Sequence, residues 1–152
     1  MKLSTRARYA IRLMLDITEV DVGDNPVRLG SVAERTGISR RYLDQVVMPL
    51  KSASLLLGIK GRSGGYRLAR PAKEIRLGEI VEATIGPVTL VDCVGAPETC
   101  DRVEDCPAHM VYRYISASMR RQLNDLTLAD LAKPSVVNDL RKRTVKLEAQ
   151  LS

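Results

Sequence analysis

Apolar positions recur along this chain with the period of helices, interrupted once by a short glycine-centred segment. A first helix is expected to begin near Ser4 and Thr5, both good N-cap residues. Its Ala10, Leu13, Met14 and Ile17 fall on one face at i, i+3, i+4 and i+7. Val22-Gly-Asp-Asn-Pro26 closes it in a loop. Leu29, Val32 and Ala33 start a second, shorter helix that stops at Gly37, and Ser39 caps a third whose Leu43, Val46, Val47 and Leu50 share a face. Two helices across a tight glycine turn form the helix-turn-helix pattern. Residues 55–60 and 66–69 then read as short strands on either side of Gly61-Arg62-Ser63-Gly64-Gly65. A hairpin following a helix-turn-helix makes a winged helix. The glycine-rich tip lacks the strand–GxxxxGK[ST]–helix context of a phosphate cradle, so no nucleotide site is expected.

Beyond the wing, Leu77, Ile80, Val81 and Thr84 mark one more short helix, and Pro107 opens a long one at its favoured first-turn position. Met110, Tyr114, Ile115, Met119, Leu123 and Leu126 run along the long helix as a stripe, over roughly 28 Å. No later segment looks large enough to cover that stripe. A two-fold partner is therefore favoured over packing back onto the first helix, since a reader of DNA gains from symmetry. Thr127 caps a turn over 128–131, with Asp130 as its capping-box acid. The fold class is thus mainly α with a small β-hairpin: a winged helix-turn-helix domain over residues 1–80, then a loop (92–106) and dimerisation helix (107–126) within 81–131. The charged tail over 132–152, with Arg141-Lys142-Arg143, is expected to be frayed or flexible.

Composition narrows the core and the partners. With 152 residues and 45% hydrophobic content, one ordinary core can form, and it must be aliphatic because there is no Trp or Phe and only five Tyr. No window approaches the apolar run of about 20 residues that crosses a bilayer. Met1-Lys2-Leu3 runs straight into a helical pattern with no apolar stretch before it, so a cytoplasmic protein is expected. The net charge of +6 is uneven: residues 1–76 hold 15 Lys/Arg against 7 Asp/Glu, and residues 77–152 hold 9 against 11. A basic first half points to a polyanion, and in this fold to double-stranded DNA.

The residues left outside the core of the third helix suit that task. Ser39, Arg40, Arg41, Tyr42 and Gln45 at its N-terminal end can bond phosphates or base edges, and Lys60 and Arg62 on the wing can reach the backbone or the minor groove. Asp44 lies on the same reading face; it repels phosphate but accepts from cytosine N4–H2, which weighs against wrong sequences. Ser4 and Arg8, at the head of the first helix, complete the candidate DNA contacts.

The second half carries a different chemistry. Every cysteine and the only histidine of the chain fall in Cys93-x6-Cys100-x5-Cys106-x2-His109. Three thiols and one imidazole are what a tetrahedral zinc, or the protein side of an iron–sulfur cluster, requires. The intervening residues carry Gly, Pro and acids and little apolar mass, so they can wrap an inorganic group but would pack poorly as a core. An odd cysteine count argues against a closed disulfide framework. No nucleophile–base or carboxylate pair stands out, and an enzyme is not expected.

Several blocks together resemble the IscR/NsrR/CymR group of bacterial winged-helix regulators. They are Met-Lys-Leu-Ser-Thr-Arg-Ala-Arg-Tyr-Ala (1–10), Gly-Ile-Ser-Arg-Arg-Tyr-Leu (37–43), Gly-Arg-Ser-Gly-Gly-Tyr-Arg-Leu (61–68) and Ile-Arg-Leu-Gly-Glu-Ile (75–80). The resemblance covers about residues 1–131. It implies a homodimer joined by the long helix, binding palindromic operator DNA, and, in the cluster-bearing branch, Cys93, Cys100, Cys106 and His109 as ligands. It implies [2Fe–2S] ahead of [4Fe–4S]. Two departures stand out. The first Cys–Cys gap is one residue longer than expected, and Arg8 stands where some relatives place an acidic fourth ligand, which favours His109. The expected function is a cluster-dependent transcriptional repressor sensing iron–sulfur, redox or nitric oxide status. A zinc-stabilised winged-helix DNA binder without a sensing role is the alternative.

Overall fold

The computed structural model describes residues 3–20 and 25–151. Helices α1 (Thr5–Val20), α2 (Leu29–Thr36) and α3 (Arg40–Ser52) precede a hairpin of β1 (Leu56–Ile59) and β2 (Gly65–Leu68). Then come α4 (Leu77–Ile85), the single turn α5 (Asp92–Gly95), α6 (Pro107–Asn124), the short α7 (Leu128–Leu131) and α8 (Pro134–Ala149). This is the mainly helical winged fold that the periodicity predicts. The loop expected over Val22–Pro26 lies mostly outside the described residues, as do Met1, Lys2 and Ser152.

The core is aliphatic. Ala10, Leu13, Met14 and Ile17 of α1 meet Val32 of α2 and Leu43, Val46, Val47 and Leu50 of α3, and all are buried. Ile75, Leu77 and Ile80 extend the same core past the wing, and Leu128 closes it from the second half of the chain. Gly37 ends α2 at φ 70°, in the left-handed region where a Cβ is strained, and its N–H reaches the Ala33 carbonyl. Ser39 then caps α3, its Oγ accepting from the Tyr42 N–H at 3.3 Å. A feature absent from the apolar pattern ties α1 to α2: Asp16 sits buried on the core face of α1. It accepts from Arg35 Nε at 2.9 Å and Nη2 at 2.7 Å. The two-pronged bond to Asp16 raises the Arg35 guanidinium above its ordinary value.

The hairpin pairs Leu56 with Leu68 through to Ile59 with Gly65, so the strands are shorter than the sequence suggests at the β1 ends. A third segment joins it: Val27 and Tyr66 exchange both backbone hydrogen bonds at 2.8 Å. Gly65 permits this, because a Cβ there would stand 2.6 Å from the Val27 carbonyl oxygen. Beyond the wing, Arg70 and the Arg76 N–H both donate to Glu79. Burial alone would raise that carboxyl, but these bonds outweigh it and hold Glu79 below its ordinary value. The expected capping box at Thr127 forms, with Thr127 Oγ1 donating to Asp130 Oδ2 at 2.7 Å and accepting from the Asp130 N–H at 3.2 Å.

Two elements differ from expectation. The helix expected to reach 126 ends at Asn124, because Leu126 is drawn into extended pairing, its carbonyl accepting from the Leu77 N–H at 3.0 Å. The tail expected to be frayed holds a helix of 16 residues, α8, opened by Pro134 in its first turn, with no buried residue. Among the described residues, no helix is long and apolar enough to cross a membrane.

Candidate nucleic-acid interface and metal centre

Helix α3 turns its apolar residues inward and leaves Ser39, Arg40, Arg41, Asp44 and Gln45 exposed on the other side. Arg40 Nε lies 3.5 Å from Asp44 Oδ1, so the acid of the reading face is matched by a cation one turn earlier. Tyr42 behaves differently from its neighbours. It is half-buried and sets its ring edge-on to Tyr9 of α1, with centroids 5.2 Å apart at 83°. Arg8 lies over that same Tyr9 ring at 5.9 Å and donates to Thr5 Oγ1 at 3.3 Å. Ser4 Oγ accepts from the Ala7 N–H at 3.2 Å, which makes it a local cap for α1.

Lys60 and Arg62 stand exposed at the wing tip, as expected. What fixes the wing beside α3 is Arg28, whose Nη2 donates to the Arg62 carbonyl at 2.8 Å. Between α3 and the wing runs a cleft of about 400 Å³ lined by Arg28, Arg40, Lys51, Lys60 and Arg62. Five cations line one groove with no acid on its walls, a surface whose charge suits phosphate. Sequence reasoning missed Arg28 and Lys51. Lys51 was within reach, since it lies eleven residues after Arg40, three helical turns along the same face. Arg28 had no such signal, because the turn that brings it to the wing depends on the Val27–Tyr66 pairing.

In the second half, α6 packs against α4 and α5. Arg120 Nε lies 3.0 Å from Glu82 Oε1, joining α6 to α4. Leu90, at the head of the cysteine loop, donates its N–H to the buried Ser116 Oγ at 3.1 Å, tying that loop to the middle of α6. His109, one turn into α6 and two turns before Ser116, faces the same way and is 4% exposed. Its Nδ1 is buried with no hydrogen-bond partner. An unpaired buried polar atom costs about 1–3 kcal/mol, so this imidazole fits a bound ligand better than a filler of space.

Cys93 sits on α5, Cys100 just past the turn Pro97–Thr99, and Cys106 at the N-cap of α6, all three half-buried. Cys93 and Cys100 share the wall of one open cleft of about 650 Å³, next to Asp92 and Thr99; Cys106 and His109 do not line it. Among the described residues, no three His, Cys, Asp or Glu side chains converge on one point. In kind, three thiols and an orphaned imidazole suit an iron–sulfur cluster or zinc, while in place they are spread over several short turns.

The predicted stripe divides: Leu123 and Leu126 pack against the chain's own core, and the rest lies on the outer side of α6. Met110, Tyr114 and Ile115 are exposed, Tyr114 by 75%, while Met119 and Leu123 are half-buried. With Leu3, Ile85 and Val88, the side chains of Tyr114, Ile115, Met119 and Leu123 border an apolar cleft of about 580 Å³.

Comparison with known proteins agrees with this architecture. The family model Rrf2, described as an iron-dependent transcriptional regulator, matches residues 3–134. The HTH-type transcriptional regulator IscR of Vibrio atlanticus is 35% identical over 143 residues, covering 94% of this chain and 82% of that protein. The protein rrf2 of Nitratidesulfovibrio vulgaris is 35% identical over 133 residues, 88% of each. Among solved structures, IscR of T. potens superposes with a TM-score of 0.71 at 30% identity, covering 89% of this chain and 88% of that one. CymR, the global cysteine regulator of B. subtilis, gives 0.70 at 30% identity, covering 87% and 96%. The relatives are regulators and not enzymes, and this winged-helix chain belongs to the Rrf2 family of transcriptional regulators.

Proposed function

We propose that this protein is a cytoplasmic transcriptional repressor whose hold on DNA depends on an iron–sulfur cluster bound by Cys93, Cys100, Cys106 and His109. The observation that carries the reading is the buried, unpartnered Nδ1 of the chain's only histidine, at the foot of the loop that holds all its cysteines. The iron dependence of the family and the regulatory role of its IscR members support it. A cluster with mixed thiolate and imidazole ligation supplies one-electron redox chemistry at a raised potential. The chemistry of the set favours [2Fe–2S]. The residues' own part is to hold that group and to pass its presence to α6. The Leu90–Ser116 bond ties the loop to α6.

DNA would be held as a palindrome by two copies. The exposed Met110, Tyr114 and Ile115 of the α6 stripe are the surface for a two-fold partner. In this reading Arg41, Gln45 and the Arg40–Asp44 pair of each copy enter a major groove, while Arg28, Lys51, Lys60 and Arg62 grip the flanking backbone. Ser4, Arg8 and Tyr42 support the entry of α3 from the α1 side.

The test is protein purified without oxygen. A brown protein carrying iron and sulfide in equal amounts supports the reading. Cys93→Ala, Cys100→Ala and Cys106→Ala should each lose the cluster, and His109→Ala should hold a labile one with a lowered potential. Colourless, zinc-loaded protein would leave the set a structural zinc site, the alternative that the same ligands allow.

A further inference from the structure

The wing ends in a tip that its own ladder does not reach. Pairing between β1 and β2 stops at Ile59 and Gly65. Beyond it, the Gly64 N–H closes a turn on the Gly61 carbonyl at 3.0 Å, with Gly61 at φ 110°, and Lys60, Arg62 and Ser63 stand exposed. A tip built on two glycines samples many conformations when nothing holds it, and ordering it on DNA would cost entropy. Arg28 meets that tip from outside the hairpin. Its backbone follows buried Val27, which exchanges two hydrogen bonds with Tyr66 on the outer edge of β2. From that fixed point its exposed side chain reaches the Arg62 carbonyl, Nη2 donating at 2.8 Å. A guanidinium carries five donors in a rigid fork. One arm can therefore hold the tip while the others face the cleft that Arg28 and Arg62 both line.

We propose that Arg28 is a positioning residue for the wing: it sets the tip before DNA arrives, and Arg62 grips a phosphate from that held position alone. The grip rests on the reading of the cleft as a DNA surface, whereas the order of the tip is a property of the DNA-free chain. A contact that is ordered in advance adds to affinity because binding does not have to order it. Arg28 thus serves twice, once through its own charge and once through Arg62. Removing it takes away both contributions, while removing the Arg62 side chain takes away one, since the bond to Arg28 is made by the Arg62 carbonyl and survives the substitution.

Full-length protein tests this in two measurements. Without DNA, the backbone N–H order parameters of Gly61, Arg62 and Gly64 should match those of rigid backbone, about 0.85. In Arg28→Ala they should fall below about 0.6, with β1 and β2 unchanged. On a mixed-sequence duplex titrated across a salt series, Arg62→Ala should lower the salt slope by about one unit and Arg28→Ala by about two. The double variant should lose no more than Arg28→Ala alone, whereas two independent contacts would lose about one, one and two. A tip that stays ordered in Arg28→Ala would overturn the proposal. So would a further drop of about one unit when Arg62→Ala is added to Arg28→Ala. Wild-type protein that binds no duplex would overturn the reading of the cleft instead, with the order of the tip still deciding whether Arg28 positions it.

Discussion

The two halves of this chain are built to different degrees of completeness. Around the first three helices the described structure closes on itself, with Leu128 completing the core. An aliphatic core seals three helices, Asp16 and Arg35 lock α1 to α2, and Arg28 holds the wing tip beside α3. From residue 90 onward the same chain leaves its chemistry open: three half-buried thiols that do not converge, a buried imidazole nitrogen with no partner, and a stripe exposed along α6. The lesson is about where each half finds its partners. The core beneath the first half is completed within one chain, whereas the second half leaves thiols, an imidazole nitrogen and an apolar stripe unmatched among the described residues.

The sharpest way to break that comparison is to remove matched apolar groups from each half. Leu43→Ala, which empties a fully buried site on α3, should cost about 2–5 kcal/mol of stability in urea unfolding. Tyr114→Ala on α6, where the ring is 75% exposed, should leave the unfolding of dilute protein within about 0.5 kcal/mol of wild type and appear instead as weaker self-association. Equal losses in dilute protein would erase the distinction.

A smaller effect separates sequence reading from grip within the first half. Gln45→Ala should cost about 1–3 kcal/mol at one base pair and little elsewhere, measured by competition among operator variants. Lys51→Ala and Arg62→Ala should each weaken binding to every sequence alike and reduce the salt slope by about one unit. If Lys51→Ala left the slope unchanged, the cationic cleft would extend no further than the wing.

Much of this was legible in the residues. The α1 face, the cap at Ser39, the glycine stop at Gly37 and the box at Thr127 each follow from local rules that the fold obeys. Asp16 was not legible, because a buried acid on an apolar face depends on Arg35 arriving from another helix. Arg28 was hidden in the same way, its role created by the Val27–Tyr66 pairing rather than by its own position. The charge of Arg141, Lys142 and Arg143 masked α8, since a charged run reads as a solvated tail. As for the cysteine loop, sequence names its donors by type, and in the described chain no three of them converge on one point.

The central claim is that a cluster held by the second half governs what the first half does on DNA. Its most direct test is the affinity of oxygen-free, fully loaded protein and of the same protein stripped of iron, each titrated against operators that the protein has selected from random DNA, with the visible spectrum followed throughout. Loaded and stripped protein should differ by roughly 5–150-fold on at least one operator, the range of a coupling of about 1–3 kcal/mol. Asp44→Ala should narrow that gap. Equal affinities of the two forms for every operator would contradict the account and leave the cysteine–histidine set a structural element.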